Sequence, residues 1–229
     1  MPTPQQLEIA AHSLIAVLGV WLGLTVLTRS RALSSRIFAF LSLALVVWSC
    51  AIILERLSSS DGAVRFGRVF EEMAAAFIVP AAAHLSLAIA TEGHPSVVRR
   101  RIIGVAYVLS LLFALPGILT QTPVQLGEPH LSIGPVSGDI LGWAWIVYRL
   151  GTLSIGAIWL LQALRATGPS DPRRWQLGVT LATIVVAAVG GSIRFLPVLG
   201  DTDPWIGISL IALAMILAAA AVLPATERE

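Results

Sequence analysis

Ionisable side chains inside apolar stretches are the residues of this sequence that could do chemistry. The stretch FEEMAAAFIVPAAAH places Glu71 and Glu72 at the start of a long apolar run, one turn after Arg68. Two more arginines, Arg149 and Arg194, lie inside two other apolar runs. Charged side chains in a membrane segment are costly, face the interior of a helix bundle and commonly serve binding or transport. These side chains could therefore form ion pairs or bind an anion within a membrane.

Helical spacing gives the two glutamates different directions. Successive side chains point about 100° apart, so Glu71 and Glu72 are not expected to face the same neighbour. Arg68 reaches both carboxylates, at i+3 and i+4. Glu72 shares a face with Arg68, Ala75 and Ala76, and such small residues suit close helix contact. We expect Glu72 to be the inward residue; the alternative is that the three charges form a cluster at the membrane surface.

Arg149 is expected near the middle of the membrane. It follows the start of its apolar run by about ten residues, which corresponds to about 15 Å along a helix. Trp145 and Gly156 share its face, and Tyr148 precedes it. We expect Arg149 to pair with a carboxylate or to line a polar cavity, because an unpaired arginine at this depth is costly. The alternative is a buried ion pair with only a structural role, and in either case Arg149→Ala is predicted to destabilise the bundle.

Arg194 completes the predicted polar site. It lies in the outer half of its apolar run, at a depth comparable with that of Glu72, and shares its face with Gly190. Three helices would then bring Glu72, Arg149 and Arg194 toward the outer half of one bundle. If the three side chains meet, they form either an anion-attracting pocket or a charge-neutral cluster that holds the helices together.

Pro80 and His84 lie deeper in the same run as the glutamates. Pro80 removes one backbone hydrogen bond and predicts a bend in mid-membrane. His84 is predicted to be a hydrogen-bonded packing residue, since the sequence contains no HxxxH, CxxC or HExxH spacing that would favour a metal site. No Ser/His/Asp grouping has a supporting local motif either. We therefore predict no metal site, no catalytic residue and no enzymatic activity.

The elements that carry these residues are membrane-spanning helices. The 229-residue chain is 56% hydrophobic and only 12% charged, with a mean hydropathy of +0.85, whereas soluble domains contain about 25% charged residues. A bilayer core about 30 Å thick needs about 20 apolar residues per helix. Seven stretches qualify, and they predict an all-α polytopic membrane protein with one seven-helix domain over residues 1–229; the spans cover residues 7–27, 37–57, 64–90, 102–119, 139–166, 175–199 and 205–223.

Arginines are concentrated on one side of these predicted spans. The loops after the first, third and fifth spans, together with the C-terminus, hold ten arginines, whereas the alternate loops hold only Arg56, Arg65 and Arg68. The positive-inside rule then predicts an outer N-terminus and a cytoplasmic C-terminus in the cytoplasmic (inner) membrane of a cell. The outer loop TQTPVQLGEPHLSIGPVSG is predicted to cap the bundle mouth, or else to serve only as a connector.

The absence of lysine excludes one seven-helix class. All 15 basic residues are arginine, and a retinal Schiff base requires a lysine amine, so no retinal is expected. No cofactor is predicted, and nothing in the sequence points to a particular lipid or pigment. No arginine cluster interleaves with aromatic residues on a polar face, which argues against nucleic acid. The pair Gly19 and Gly23 has GxxxG spacing and is a weak signal for a homodimer face.

Four stretches carry a family resemblance. The first, RIFAFLSLALVVWSCAIILE, contains a tryptophan seven positions before an acidic residue. The second, RVFEEMAAAFIVPAAAHLSLAIATEG, has a charged start and a central proline. In the third, LPGILTQTP with IGPVSGDILGWAWIVYRL, a Gly-Pro loop leads into an aromatic helix. The fourth, LPVLGDTDPWIGISL, has an Asp-Pro start to its last helix. Together they resemble the N-terminal seven-helix sensor region of bacterial histidine kinases; the residues concerned are Trp48, Glu55, Glu72, Pro80, Asp203 and Pro204.

The resemblance implies a non-enzymatic, receptor-like sensor module of bacterial signal transduction. Its polar outer-half pocket would be coupled through the seventh helix to a cytoplasmic or membrane protein partner. Two features depart from the family: VGGSIRFLP carries Arg194 where Asn or a similar residue is frequent, and the chain stops at Glu229 without a kinase or cyclase domain. Two other functions are also compatible with the sequence, an accessory or assembly subunit of a larger membrane complex and a small transporter.

Overall fold

The described residues form seven α-helices. The computed structural model describes residues 3–119, 140–192 and 204–223, and within these ranges it contains no β-strand. The prediction of an all-α, seven-helix bundle is confirmed. The helices are α1 (Pro4–Arg29), α2 (Leu33–Leu57), α3 (Asp61–Ala90), α4 (Val97–Leu119), α5 (Ile140–Ala166), α6 (Arg173–Ser192) and α7 (Pro204–Val222).

Local sequence sets the ends of the helices. At the start of α1, the Thr3 hydroxyl accepts from the Gln6 N–H at 3.3 Å, and the Gln6 side chain accepts from the Thr3 N–H at 2.9 Å. This reciprocal cap satisfies two N–H groups that the first turn leaves open, and Pro4 needs no such partner. After α3 the chain reverses at Gly93, whose φ of +78° is accessible to glycine without strain, and Pro95 prevents the helix from continuing.

Six helices form a closed ring, and the remaining helix lies outside it. Going round, α1 contacts α2, α2 contacts α3, α3 contacts α5, α5 contacts α6, α6 contacts α7 and α7 returns to α1. Across the ring, α2 also contacts α7 and α3 contacts α6. Helix α4 packs against the outer side of α3. The centre of the ring is therefore bounded by α2, α3, α5, α6 and α7.

Apolar side chains cover both the inside and the outside of this ring. Phe38 and Leu160 are fully buried in the core, while Trp21 and Val147 are largely exposed on outer faces. Six of the described helices are long and apolar enough to cross a membrane. Exposed apolar side chains on spanning helices are what a lipid solvent requires.

The helices extend beyond the predicted apolar stretches by about one turn, mostly at their N-terminal ends. Helix α2, for example, begins at Leu33, where the apolar pattern predicts a start at residue 37. Helical backbone continues through polar residues at a membrane surface, which hydropathy alone does not detect. The predicted end of the sixth span, at residue 199, lies outside the described residues.

The GxxxG pair of α1 faces the inside of the bundle and not a second copy. A Cβ atom at Gly19 would lie 2.5 Å from Val46 Cγ2, and one at Gly23 would lie 3.1 Å from Ser42 Cβ, both on α2. The two glycines therefore allow α1 and α2 to approach closely within one chain. The interpretation of this pair as a dimer face is wrong for that reason, and a homodimer stays a prediction without a defined surface.

Candidate functional site

A cavity of about 170 Å³ lies at the centre of the helix ring. Five helices supply its walls, and α1 and α4 do not contribute to it. Most of the lining is aliphatic. The residues are Phe38, Leu41, Leu45 and Trp48 of α2; Glu71, Glu72, Ala75, Ile78, Val79, Ala82, Leu85 and Ser86 of α3; Trp145, Arg149 and Leu153 of α5; Thr180, Thr183, Ile184, Ala187, Gly190 and Gly191 of α6; and Gly207, Ile208, Ile211, Ala214, Met215 and Ala218 of α7.

The hydroxyl groups on the cavity wall are occupied within their own helices. Ser86 Oγ donates to the Ala82 carbonyl at 2.9 Å. Thr180 Oγ1 and Thr183 Oγ1 each donate to the carbonyl four residues earlier, at 2.8 and 2.9 Å. These bonds use the hydroxyl protons, so the wall beside them behaves as a largely apolar surface. The charged side chains on the wall are those of Glu71 and Glu72 on α3 and of Arg149 on α5.

Both glutamates of α3 face the centre of the bundle. Glu71 and Glu72 are each only 6% exposed, and each lines the cavity. The sequence favoured Glu72 alone, because the two side chains differ in direction by about 100°. Helix α3 contacts α2, α4, α5 and α6, so its buried arc is wide enough to include both directions. Phe70 and Met73, on either side of the pair, are exposed instead.

Arg149 lines the same cavity but does not pair with Glu72. Its Cζ atom lies 5.7 Å from the centroid of the Trp145 ring, in cation–π geometry. On α6, the missing side chain of Gly191 makes room for it, since a Cβ atom there would lie 3.2 Å from Arg149 Nη2. Among the described residues, no carboxylate lies within ion-pair distance of this guanidinium. Of the two sequence-based expectations, the cavity is present, and the described part of the chain supplies no carboxylate partner.

An aromatic cluster holds Trp145 in place beside Arg149. The Trp145 and Tyr148 rings stack with centroids 5.4 Å apart, and Phe113 of α4 lies 5.4 Å from each of them. The Tyr148 hydroxyl donates to the Ala106 carbonyl of α4 at 2.6 Å. Tyr148 is therefore a support for Trp145 from outside the ring and does not itself line the cavity.

Arg68 and Glu55 lie at the same end of the bundle as the glutamates, outside the cavity lining. Glu55 of α2 packs against Gly67, where a Cβ atom would lie 2.8 Å from Glu55 Cγ. From there its carboxyl group reaches Glu71 across the α2–α3 interface and lies near the Arg68 charge. Glu55 and Arg68 thus belong to a polar layer beside the cavity.

Pro80 and His84 do not bring chemistry to the cavity. Pro80 is buried in α3, which continues through it from Asp61 to Ala90. The half-buried His84 ring lies edge-on to Tyr107, with centroids 6.1 Å apart, on a separate groove shared with Arg36 and Phe40. This position agrees with a packing role for His84. No group of three His, Cys, Asp or Glu side chains suited to a metal occurs in the described part of the chain.

Two residues of the predicted site lie outside the described residues. They are Arg194, the third charge of the predicted pocket, and Asp203, which carries part of the family resemblance. The predicted outer lid at 120–138 also lies there. Arg194 therefore remains a sequence-based candidate.

One comparison with known proteins decides the family. Residues 11–228, almost the whole chain, match the family described as the N-terminal 7TM region of histidine kinase. The chain belongs to this family. The resemblance stated from the sequence motifs is thereby confirmed. No curated protein matches the chain.

Membership of the histidine kinase 7TM region agrees with the architecture. Seven helices, six of them clearly able to cross a membrane, make the chain a multi-pass protein of the inner membrane. The family is the membrane region of signal-transduction proteins, so a sensor module is its general role. The side of the membrane on which each end lies stays a prediction from the distribution of arginines.

In this 7TM region, α1 contributes polar residues that sequence reasoning missed. Glu8 forms an ion pair with Arg56 of α2, Nη2 to Oε1 at 3.1 Å. One turn later His12, only 1% exposed, lies with Nδ1 3.3 Å from Ser49 Oγ and with its ring edge-on to Trp48, centroids 4.9 Å apart. Glu8 and His12 lie four residues apart on the helix face that also carries the GxxxG glycines. This spacing is the sequence feature that could have identified them as buried residues.

Proposed function

We propose that this chain is a non-enzymatic, ligand-responsive sensor module, in which a small molecule bound in the central cavity alters the contacts of α7. A protein partner at the arginine-rich end would read that change and carry the output. The single observation that supports this most strongly is the convergence of Arg149, Glu71 and Glu72 on one cavity. Apolar cavities with a few convergent polar groups are the usual form of small-molecule sites.

The route from the cavity to the partner is supported by the contacts of α7. This helix lines the cavity from Gly207 to Ala218. Near one end it approaches α6 so closely that a Cβ atom at Gly190 would lie 2.8 Å from the Gly207 carbonyl oxygen. Near the other end the Gln176 side chain donates to the Ala221 carbonyl at 2.8 Å. A shift of α7 against α6 would therefore reach both ends of the bundle.

At the arginine-rich end, one side chain links two helices. Arg173 at the start of α6 donates to the Ile89 and Ala90 carbonyls at 3.1 and 2.9 Å and pairs with Glu92. This arginine ties α6 to the end of α3, one of the two helices that carry charges on the cavity. We propose that this end is cytoplasmic and that Arg194 adds a further charge to the pocket at the outer half.

The test compares gene expression in cells that differ only in this chain. A deletion strain is complemented with the wild-type chain, with Arg149→Met or with Arg165→Met. Arg165 lies exposed on the same helix and away from the cavity, so it is the matched control. We expect Arg149→Met, at unchanged membrane abundance, to alter the same set of transcripts as the deletion, and Arg165→Met to restore the wild-type pattern.

Other results would favour the other two functions. Unchanged transcripts in both the deletion and the Arg149→Met strain would overturn the sensor proposal. If the chain instead co-purifies with other membrane proteins at fixed stoichiometry, and its deletion removes them from the membrane, it is an assembly subunit. If proteoliposomes that contain the chain show a solute flux lost in Glu72→Gln, it is a transporter.

A further inference from the structure

The charge on Arg149 lacks a counter-charge within the described part of the protein. Its guanidinium lies over the Trp145 ring, and its Nη2 atom lies where a Cβ atom at Gly191 would come within 3.2 Å; neither neighbour supplies a carboxylate. An arginine side chain has five N–H donors, and in the described residues none of them forms a hydrogen bond. An isolated charge within a membrane is costly. An anion in the cavity beside Arg149 would supply the counter-charge that the described residues do not.

The size of the cavity limits what that anion can be. A volume of about 170 Å³ is close to that of cavities that hold one benzene ring, which corresponds to about six to ten non-hydrogen atoms. A lipid tail or a carotenoid-sized pigment would have to extend beyond this volume. A chloride ion would leave most of the wall without contacts, because most of the lining, including Leu153, Ile184 and Ile208, is aliphatic. The cavity thus suits an organic molecule with an apolar body.

The lining of the cavity limits how much negative charge the ligand can carry. Most of the wall is aliphatic, and among the described lining residues Arg149 is the one cation. A dianion such as phosphate would lose hydration that this wall cannot replace. A carboxylate monoanion matches the planar guanidinium fork, with which it forms two parallel hydrogen bonds.

We propose that the cavity binds a small organic monocarboxylate, with its charge on Arg149 and its apolar body between α6 and α7. This inference rests on the proposed function, since it takes the cavity as the ligand site of the sensor. The aromatic face of Trp145 and the indole of Trp48 border the bound molecule and act as native reporters.

Benzoate is the probe that tests the proposal, with three comparison ligands of similar size or charge. Benzamide is its neutral counterpart, benzylammonium reverses the charge, and inorganic phosphate carries charge without an apolar body. The full chain in lipid nanodiscs is titrated with each, followed by tryptophan emission and by calorimetry, with empty nanodiscs subtracted. We expect benzoate to bind at least about tenfold more tightly than benzamide, since a charge-assisted hydrogen-bond pair contributes that much.

Two variants separate the charge of Arg149 from the shape of the cavity. Arg149→Met should weaken benzoate binding about tenfold or more, and Arg165→Met should leave it unchanged. Ala187→Phe, on the cavity wall, should block benzoate while the Arg149 charge stays in place. The melting temperature of each variant shows whether it is folded.

Three outcomes would overturn the proposal: no benzoate binding to the wild-type chain, equal affinity for benzoate and benzamide, or unchanged benzoate affinity in both Arg149→Met and Ala187→Phe. These outcomes are distinguishable from failure of the proposed function. If benzoate binds as expected but the Arg149→Met strain keeps wild-type transcripts, the ligand site stands and the sensor role fails. If benzoate does not bind but those transcripts change, the sensor role stands with another ligand.

Discussion

Glu72 on α3 and Arg149 on α5 line one cavity, and no ion pair joins them. The guanidinium stacks over Trp145 instead, with Cζ 5.7 Å from the ring centroid. A closed ion pair between these two side chains would fill part of the cavity, whereas the observed position of the guanidinium leaves space beside it. This separation is the feature on which the proposed binding site depends.

Arg149→Met is expected to stabilise the bundle in the absence of ligand. The substitution removes a charge whose placement at the centre of a membrane helix costs about 2.5–3.5 kcal/mol. It also loses the cation–π contact with Trp145, a loss of about 0.5–2 kcal/mol. The free energy of unfolding should therefore rise by about 0.5–3 kcal/mol, as measured by denaturation in detergent micelles.

The control for this prediction is Arg165→Met, which should change the free energy of unfolding by less than about 0.5 kcal/mol. A loss of stability in Arg149→Met would mean that a carboxylate partner is left behind, as the sequence alone led us to expect. Arg149→Lys should lie between the wild-type chain and Arg149→Met in benzoate affinity, since it keeps the charge but loses the planar fork.

Helix positions and family were predictable because they depend on composition and spacing. Length and apolar content define the spans, and the four motif stretches identify the histidine kinase 7TM region. Hydropathy did not fix the helix ends, because the backbone stays helical through polar residues such as Arg36 in the first turn of α2. The outward position of α4 and the ring order of the other helices depend on contacts between distant residues, which helical periodicity does not encode.

Gly190→Val is expected to destabilise the α6–α7 contact. A Cβ atom at this position would lie 2.8 Å from the Gly207 carbonyl oxygen and 2.9 Å from Leu210 Cβ, so the helices must separate. Overpacking of this kind costs about 1–3 kcal/mol. Gly178→Val on the same helix is the matched control, because a Cβ atom there meets nothing within 4 Å. Equal melting temperatures for the two variants would contradict the close approach of α6 and α7.

The Glu8–Arg56 ion pair is expected to couple α1 to α2. Arg56 is 21% exposed and Glu8 is 7% exposed, so the free energy contributed by the pair should lie between that of a surface ion pair and that of a buried one. Removal of either charge should cost about 1–2 kcal/mol. A double-mutant cycle with Glu8→Gln and Arg56→Met measures the coupling free energy by chemical denaturation. Additive effects of the two substitutions would show that the pair does not form, and Arg65→Met serves as the exposed control.

Arg173→Ala is expected to loosen the end of α3. The side chain donates two hydrogen bonds to carbonyls of the last turn, Ile89 and Ala90. Charge-assisted bonds of this kind contribute about 1–3 kcal/mol. Hydrogen exchange of the Gly93 amide, which bonds to the Ala88 carbonyl at 2.9 Å, should become faster. Arg174→Ala, which removes only one exposed bond to Thr167, should leave that rate nearly unchanged.

The candidate site was predictable in its residues more than in its contacts. The cost of charge in a membrane was enough to select Glu71, Glu72 and Arg149, and all three line the cavity. The free-energy cost of a charge in a membrane does not indicate which charged side chains contact each other, because pairing depends on the relative rotation of α3 and α5. Glu8 and His12 were not selected because they lie near the start of the first apolar run, where a polar residue is also compatible with the membrane surface, yet the bundle buries both.

Hydrogen–deuterium exchange of α7 with and without saturating benzoate is the most direct test of a cavity that senses a ligand. The account predicts slower exchange from Gly207 to Ala218 and a changed rate at the far end, near Ala221, in the wild-type chain. Arg149→Met, at the same benzoate concentration, should show neither change. Identical exchange of α7 in wild-type chain with and without bound benzoate would contradict the account.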